Sequence, residues 1–154
     1  MQACFIGHRT IEKKEELILS LKETVVALLN KGVTTFLFGS MSEFDSLSLE
    51  IVTELKKKYP YIKRVYVRSA YQHIDKSYEE YILKFYEQTY FPPKLEHAGK
   101  ASYVERNYEM ICNSTYCVFY YNEKHAQELK RNSGTKIAYN YAIKKKKEII
   151  NLYK

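Results

Sequence analysis

The feature that most restricts this chain is an alternation of two apolar periods. Short, nearly continuous β-type runs give way repeatedly to longer stretches whose apolar residues recur every three or four positions, the pattern of strand–helix units around a parallel sheet. The first run is Ala3-Cys4-Phe5-Ile6, and after Gly7-His8-Arg9-Thr10 the spacing predicts a helix over about 11–31, with Ile11, Leu17, Ile18, Leu21, Val25, Leu28 and Leu29 on one face. Gly32 is placed to stop that helix. Val33 to Phe38 read as the second strand, about 43–58 as the second helix closed by Pro60, and Ile62 to Val67 as the third strand.

From Ser69 to about Lys100 the alternation stops, giving an irregular insertion with a Tyr-rich helical piece and a Phe91-Pro92-Pro93 break. Regularity returns with a helix over about 102–113, a strand at Tyr116 to Tyr121, a helix over about 134–146 and a last strand near 148–152. Five strands with helices between them predict an α/β fold, a three-layer Rossmann-like sandwich with a mostly parallel sheet. Residues 1–154 contain no repeat, low-complexity linker or composition shift, so one domain is expected.

A chain of 154 residues, 45% hydrophobic and 28% charged, has the composition of a globular domain rather than a disordered or disulfide-scaffold protein. Its longest apolar runs fall well short of the ~20 residues that span a bilayer, and Met1 to Gly7 reads as a strand rather than a secretory signal. Three cysteines, Cys4, Cys112 and Cys117, sit in apolar contexts, and their odd number suits reduced, buried thiols and a cytoplasmic location. The net charge of +7 favours an anionic partner, although the lysine runs at 56–58 and 144–147 read as solvated helix ends.

In an open parallel sheet, ligands bind beyond the carboxyl ends of the strands. Three segments put small or polar residues there: Gly7-His8-Arg9, Gly39-Ser40-Met41-Ser42-Glu43-Phe44-Asp45, and Asn132-Ser133-Gly134-Thr135. Helix-start amides beside glycine and hydroxyl side chains suit a phosphate, and Arg9 and Arg106 can add bidentate contacts. No Gly-x-Gly-x-x-Gly or Gly-Lys-Ser/Thr pattern occurs, which removes the main support for a dinucleotide fold or a P-loop NTPase. The histidines and cysteines lack metal-site spacing, so neither a metal nor a cofactor is expected.

Taken in order, Cys4-Phe5-Ile6-Gly7-His8-Arg9, Phe38-Gly39-Ser40 running into Asp45 and Glu50, Glu105-Arg106-Asn107 with Met110, and Ser133-Gly134-Thr135 before Tyr141-Ala142 resemble the SLOG superfamily, closest to its YpsA-like branch. The resemblance covers nearly the whole chain. It implies a Rossmann-like sheet with a nucleotide or nucleotide-derived ligand at the strand ends, often in a homo-oligomer. It places Gly7, Arg9, Gly39, Ser40, Asp45, Arg106, Ser133, Gly134 and Thr135 around that ligand. His8, beside Gly7 and Arg9 at the strand end, is from its position a candidate to contact phosphate or orient the loop, with a hydrogen-bonded structural histidine as the opposing reading.

The superfamily's LOG-type phosphoribohydrolases use a Pro-Gly-Gly-x-Gly-Thr-x-x-Glu segment. Here the matching stretch, Lys130 to Ala138, lacks the two leading glycines and has Ala138 at the Glu position, while Met41 stands in the second loop where the commoner pattern has a smaller residue. Binding is therefore expected over turnover. Were the chain an N-glycosidic hydrolase acting on a nucleoside monophosphate, Glu105 and Asp45 would be the catalytic candidates, with Glu43 in the same loop as Asp45. Opposing readings make Asp45 a carboxylate at the helix start, Glu105 a solvated or Arg-paired residue, and Glu50 an exposed helix position. A DNA-binding role like that of the superfamily's DprA members is the third reading, disfavoured because no separate DNA-reading segment is evident. Of the 16 tyrosines, Tyr71, Tyr78, Tyr81, Tyr86 and Tyr90, with Phe91, are candidates for core, for an oligomer contact or for stacking on a base.

Overall fold

The computed structural model describes residues 1–39, 42–124 and 133–154. Its strands are β1 (Gln2–Gly7), β2 (Thr35–Phe38), β3 (Lys63–Val67), β4 (Gln88–Tyr90), β5 (Tyr116–Tyr120) and β6 (Glu148–Asn151). The described helices are α1 (Lys14–Asn30), α2 (Glu43–Lys56), α3 (Lys76–Ile82), α4 (Lys100–Cys112) and α5 (Gly134–Lys144). The six strands form one parallel sheet in the order β4-β3-β2-β1-β5-β6. The chain runs outward from β1 to β4 and then returns to lay β5 on the other side of β1. The strand order therefore reverses between β1 and β5, where an open α/β sheet offers its crevice.

The near-continuous apolar strands follow from coverage on both faces. Ala3 and Phe5 pack with Phe36, Phe38, Val118 and Tyr120 under α1 and α2, while Cys4 and Ile6 pack with Leu37, Val67, Cys117 and Phe119 under α4 and α5. Side chains on a strand alternate faces, so each run of four supplies both layers. The result is the expected three-layer α/β arrangement, with one strand more than the sequence reading.

The additional strand, β4, lies inside the stretch read as irregular. Gln88-Thr89-Tyr90 is too short and too polar to carry an alternation signal, and its position comes instead from a neighbour. Glu87 accepts from the Arg64 backbone N–H at 2.9 Å and from Arg64 Nε and Nη2 at 3.0 and 2.7 Å, while Arg64 Nη1 donates to Thr53 Oγ1 at 3.0 Å. This cluster fastens β4 and α2 to β3, and Arg64 is only 9% exposed.

Helix α1 begins at Lys14, three residues later than its apolar spacing indicates. The Ile11 amide donates to Glu43 Oε2 at 2.7 Å, the Glu12 amide donates to the Tyr120 hydroxyl at 3.0 Å, and Lys13 adopts φ 50°. Long-range partners thus hold residues 11–13 out of the helix. The cysteine expectation needs a correction: Cys4 and Cys117 are buried neighbours on β1 and β5, but Cys112 is exposed at the end of α4. Among the described residues no helix is long and apolar enough to cross a membrane.

Candidate functional site

Because every strand is parallel, the exits of β1, β2, β3 and β5 lie on one edge, and the described parts of the sequence-selected segments meet there; Asn132 lies outside the described residues. Gly7 ends β1 directly beneath the first turn of α2. A Cβ at this position would sit 2.5 Å from Phe44 Cδ2, so glycine is what lets α2 approach the strand. The approach is then locked in both directions: the Glu43 amide donates to the Arg9 carbonyl at 3.0 Å, and Glu43 Oε2 takes the Ile11 amide. Glu43 is thereby an anchor for the β1 exit loop. The Arg9 side chain remains exposed on that loop.

His8 bridges the point where strand order reverses. Its backbone N–H donates to the Tyr120 carbonyl at 3.2 Å, and its Nε2 accepts from the Asn122 backbone N–H at 2.7 Å. An accepting Nε2 requires a neutral ring with its proton on Nδ1. Asn122 in turn donates through Nδ2 to the Tyr153 hydroxyl at 2.9 Å, so one polar chain joins the exits of β1, β5 and β6. Asn122 gave no sequence signal, since its role depends on a residue more than a hundred positions away.

The β2 exit reaches Gly39; Ser40 and Met41 lie outside the described residues. Ser42 caps α2 by accepting the Asp45 amide at 3.0 Å. Arg106 of α4 lies over this exit and is 3% exposed. Its Nη1 donates to the Gly39 carbonyl at 2.7 Å and to the Val67 carbonyl at 3.5 Å, and its Nε donates to Asn107 Oδ1 at 3.1 Å. A Cβ on Gly39 would fall 2.7 Å from Arg106 Cζ, so this glycine makes room for the guanidinium. Burial pushes the Arg106 pKa below its ordinary value, and the charge of Asp45 opposes that shift. Asp45, in the first turn of α2, is itself buried.

Glu105 turns away from Arg106. It accepts the Glu96 amide at 2.8 Å and pairs with His97 Nδ1, which ties the loop before α4 to that helix. The Glu96 amide and His97 hold its carboxyl below the usual range. Of the two opposing readings, the Arg pairing is replaced by a His pairing. Glu50 is exposed, as its spacing indicated.

At α5, Ser133 caps the helix by accepting the Lys136 amide at 3.1 Å. Gly134 is exposed, with open space where a side chain would stand, and Thr135 is buried. Among the described residues, then, nothing packs against Gly134 at the start of this helix. Ala138, at the position of the hydrolases' glutamate, is 1% exposed within the apolar layer. Among the described residues no group of three or more His, Cys, Asp or Glu is placed to hold a metal ion.

These features define a Rossmann-like α/β domain with a glycine-marked edge at the reversal of its strand order. The chain belongs to the YpsA family, described as the YspA SLOG family, whose model matches residues 8–153. DNA processing protein A from Helicobacter pylori, whose structure addresses a single-stranded DNA binding mode, is similar with a TM-score of 0.63 and 15% identity. That match covers 97% of this chain and 63% of the other. A structural-genomics target designated TM1055 is similar with a TM-score of 0.58 and 14% identity, over 97% of this chain and 72% of its own. At these identities the likeness is one of fold. No curated protein matches the sequence.

Proposed function

We propose that the protein binds a nucleotide or nucleotide-derived ligand at the carboxyl edge of its sheet and acts as a sensor or sequestering protein. One observation supports this above the rest: two capped helix starts, those of α2 and α5, flank the β1 exit beside exposed Arg9 and exposed Gly134. Phosphate is held by α5 amides with Ser133, Gly134 and Thr135, and Arg9 completes its charge. Gly7 and Gly39 allow close packing at the edge, while His8, Asp45 and Arg106 hold its shape.

Two findings favour binding over hydrolysis. The hydrolases' glutamate position is a buried alanine, and Glu105 is engaged by His97 and the Glu96 amide. The single-stranded DNA binding of the Helicobacter pylori neighbour and the +7 charge make DNA the comparison ligand. Thermal-shift and calorimetric titrations against linear, cyclic and NAD-derived nucleotides, with oligonucleotides in parallel, test the reading. Affinity for a small nucleotide that falls about tenfold or more in Arg9→Ala, with an unchanged melting temperature of the free protein, is expected. Full affinity in Arg9→Ala contradicts the assigned phosphate site. Binding confined to oligonucleotides and falling steeply with salt contradicts the small-ligand reading.

A further inference from the structure

At the β3 exit, four features coincide on the same edge of the sheet. Tyr71 is the most exposed large apolar or aromatic side chain among the described residues, at 75%. Its amide donates to the Ser69 carbonyl at 2.8 Å, closing a three-residue turn, and the residue at the centre, Ala70, has φ 71°. A side-chain-bearing residue in that region is strained and persists only where its surroundings over-determine it. Those surroundings are Arg68, whose Nη1 donates to the Tyr71 and Gln72 carbonyls at 3.3 and 3.2 Å and whose Nε donates to Thr89 Oγ1 at 3.1 Å. A flat aromatic ring is thus held outward, largely exposed, on a clamped, strained turn.

We propose that Tyr71 is the nucleobase platform of the edge site, the residue on which a purine stacks when phosphate is held at the β1 and α5 end. This inference rests on the nucleotide-binding reading above and adds the base-recognition subsite. The geometry suits the ligand. Strands lie about 4.8 Å apart, so the β3 exit is roughly 10 Å from the β1 exit and 14 Å from the β5 exit. That span matches an extended nucleoside monophosphate or diphosphate laid along the edge. Between the two ends, Arg106 donates to the carbonyls at the β2 and β3 exits.

Chemistry separates Tyr71 from the exposed tyrosines of α3. Tyr78 and Tyr81 lie on α3 among Asp75, Glu79 and Glu80, whose charges repel a phosphate ester, whereas Arg68 supports the Tyr71 turn. A tyrosine ring offers a π-face to any base, and a purine presents the larger partner.

Calorimetry on the intact chain with AMP, UMP and ribose 5-phosphate, in the native protein, Tyr71→Ala and Tyr71→Phe, tests the assignment. The native protein should bind AMP more tightly than UMP, and UMP more tightly than ribose 5-phosphate. Tyr71→Ala should lose roughly tenfold or more in AMP affinity, with ribose 5-phosphate binding unchanged, and Tyr71→Phe should keep the AMP affinity. AMP binding unaltered by Tyr71→Ala overturns the platform and leaves the phosphate site standing. Equal losses for AMP and ribose 5-phosphate, or an altered oligomeric mass without loss of AMP affinity, also overturn it. Failure of all three probes to bind the native protein overturns both the platform and the reading on which it rests.

Discussion

Replacing Arg106 with Leu is expected to destabilise the domain by about 2–4 kcal/mol, from the loss of charge-assisted hydrogen bonds to buried carbonyls that are then left without a donor. The structure supplies the terms. The charge-assisted bond to the Gly39 carbonyl, at 2.7 Å, contributes about 1.5–3 kcal/mol. The longer contact to Val67 contributes less, the buried Gly39 carbonyl loses its donor, and the favourable charge interaction between Arg106 and Asp45 is removed. For a domain of this size each kcal/mol corresponds to about 2–4 °C, so melting should fall by on the order of 10 °C. Urea unfolding followed by circular dichroism measures the loss, and a double-mutant cycle with Asp45→Asn isolates the coupling. The single variants should be non-additive by about 1 kcal/mol or more, because Asp45 without Arg106 is already compromised. A cost for Arg106→Leu below about 1 kcal/mol would refute the reasoning that Arg106 cross-links the edge, and additivity within about 0.5 kcal/mol would refute its charge coupling to Asp45.

Three further outcomes follow from the same geometry. Gly7→Ala places a Cβ against the Phe44 ring and should cost about 1–3 kcal/mol by overpacking, measured by urea unfolding, with Phe44→Leu relieving part of it. Burial raises the Glu87 pKa, but the hydrogen bonds and charge of Arg64 outweigh it and leave the carboxyl below its ordinary value. Its contribution to stability is therefore present above the unfolded pKa near 4.5 and is lost as pH falls through the lower folded value, so native and Glu87→Gln unfolding midpoints should differ at neutral pH and converge in acid. In a thiol-reagent titration, Cys112 should react rapidly in the native protein, with Cys4 and Cys117 reacting only in denaturant; rapid reaction of all three thiols contradicts the burial described above.

Most of the architecture is legible in the sequence because both faces of the sheet are covered. Runs such as Cys4-Phe5-Ile6 and Cys117-Val118-Phe119 have to be strands, and the helices between them carry clear apolar stripes. The missing strand was not legible because β4 is an edge of three residues secured by Arg64 and Glu87, a pairing across more than twenty positions. Its faint trace is Thr89-Tyr90-Phe91 before a proline pair. The start of α1 departs from its apolar spacing for a related reason, since Glu43 and Tyr120 hold the amides of residues 11 and 12.

At the edge itself, residue type located the loops but did not assign tasks within them. Arg106 looks like a phosphate arm in sequence, yet the Gly39 carbonyl, 67 positions away, makes it a buried cross-link. Glu105 looks catalytic beside an arginine, yet its partners lie in the preceding loop. His8 depends on the amide of Asn122, and Tyr71 on a turn whose strain no composition reveals.

The most direct test of the central claim is mass spectrometry of small molecules released when the purified protein is denatured, repeated after incubating any recovered compound with fresh protein. The account predicts an intact nucleotide or nucleotide-derived compound in near-stoichiometric amount, reduced in Arg9→Ala and unchanged by incubation. Release of the free base on incubation would contradict a binding and sequestering role and make the protein a hydrolase. Absence of any such compound, together with no thermal shift from the nucleotide panel, would contradict nucleotide binding itself.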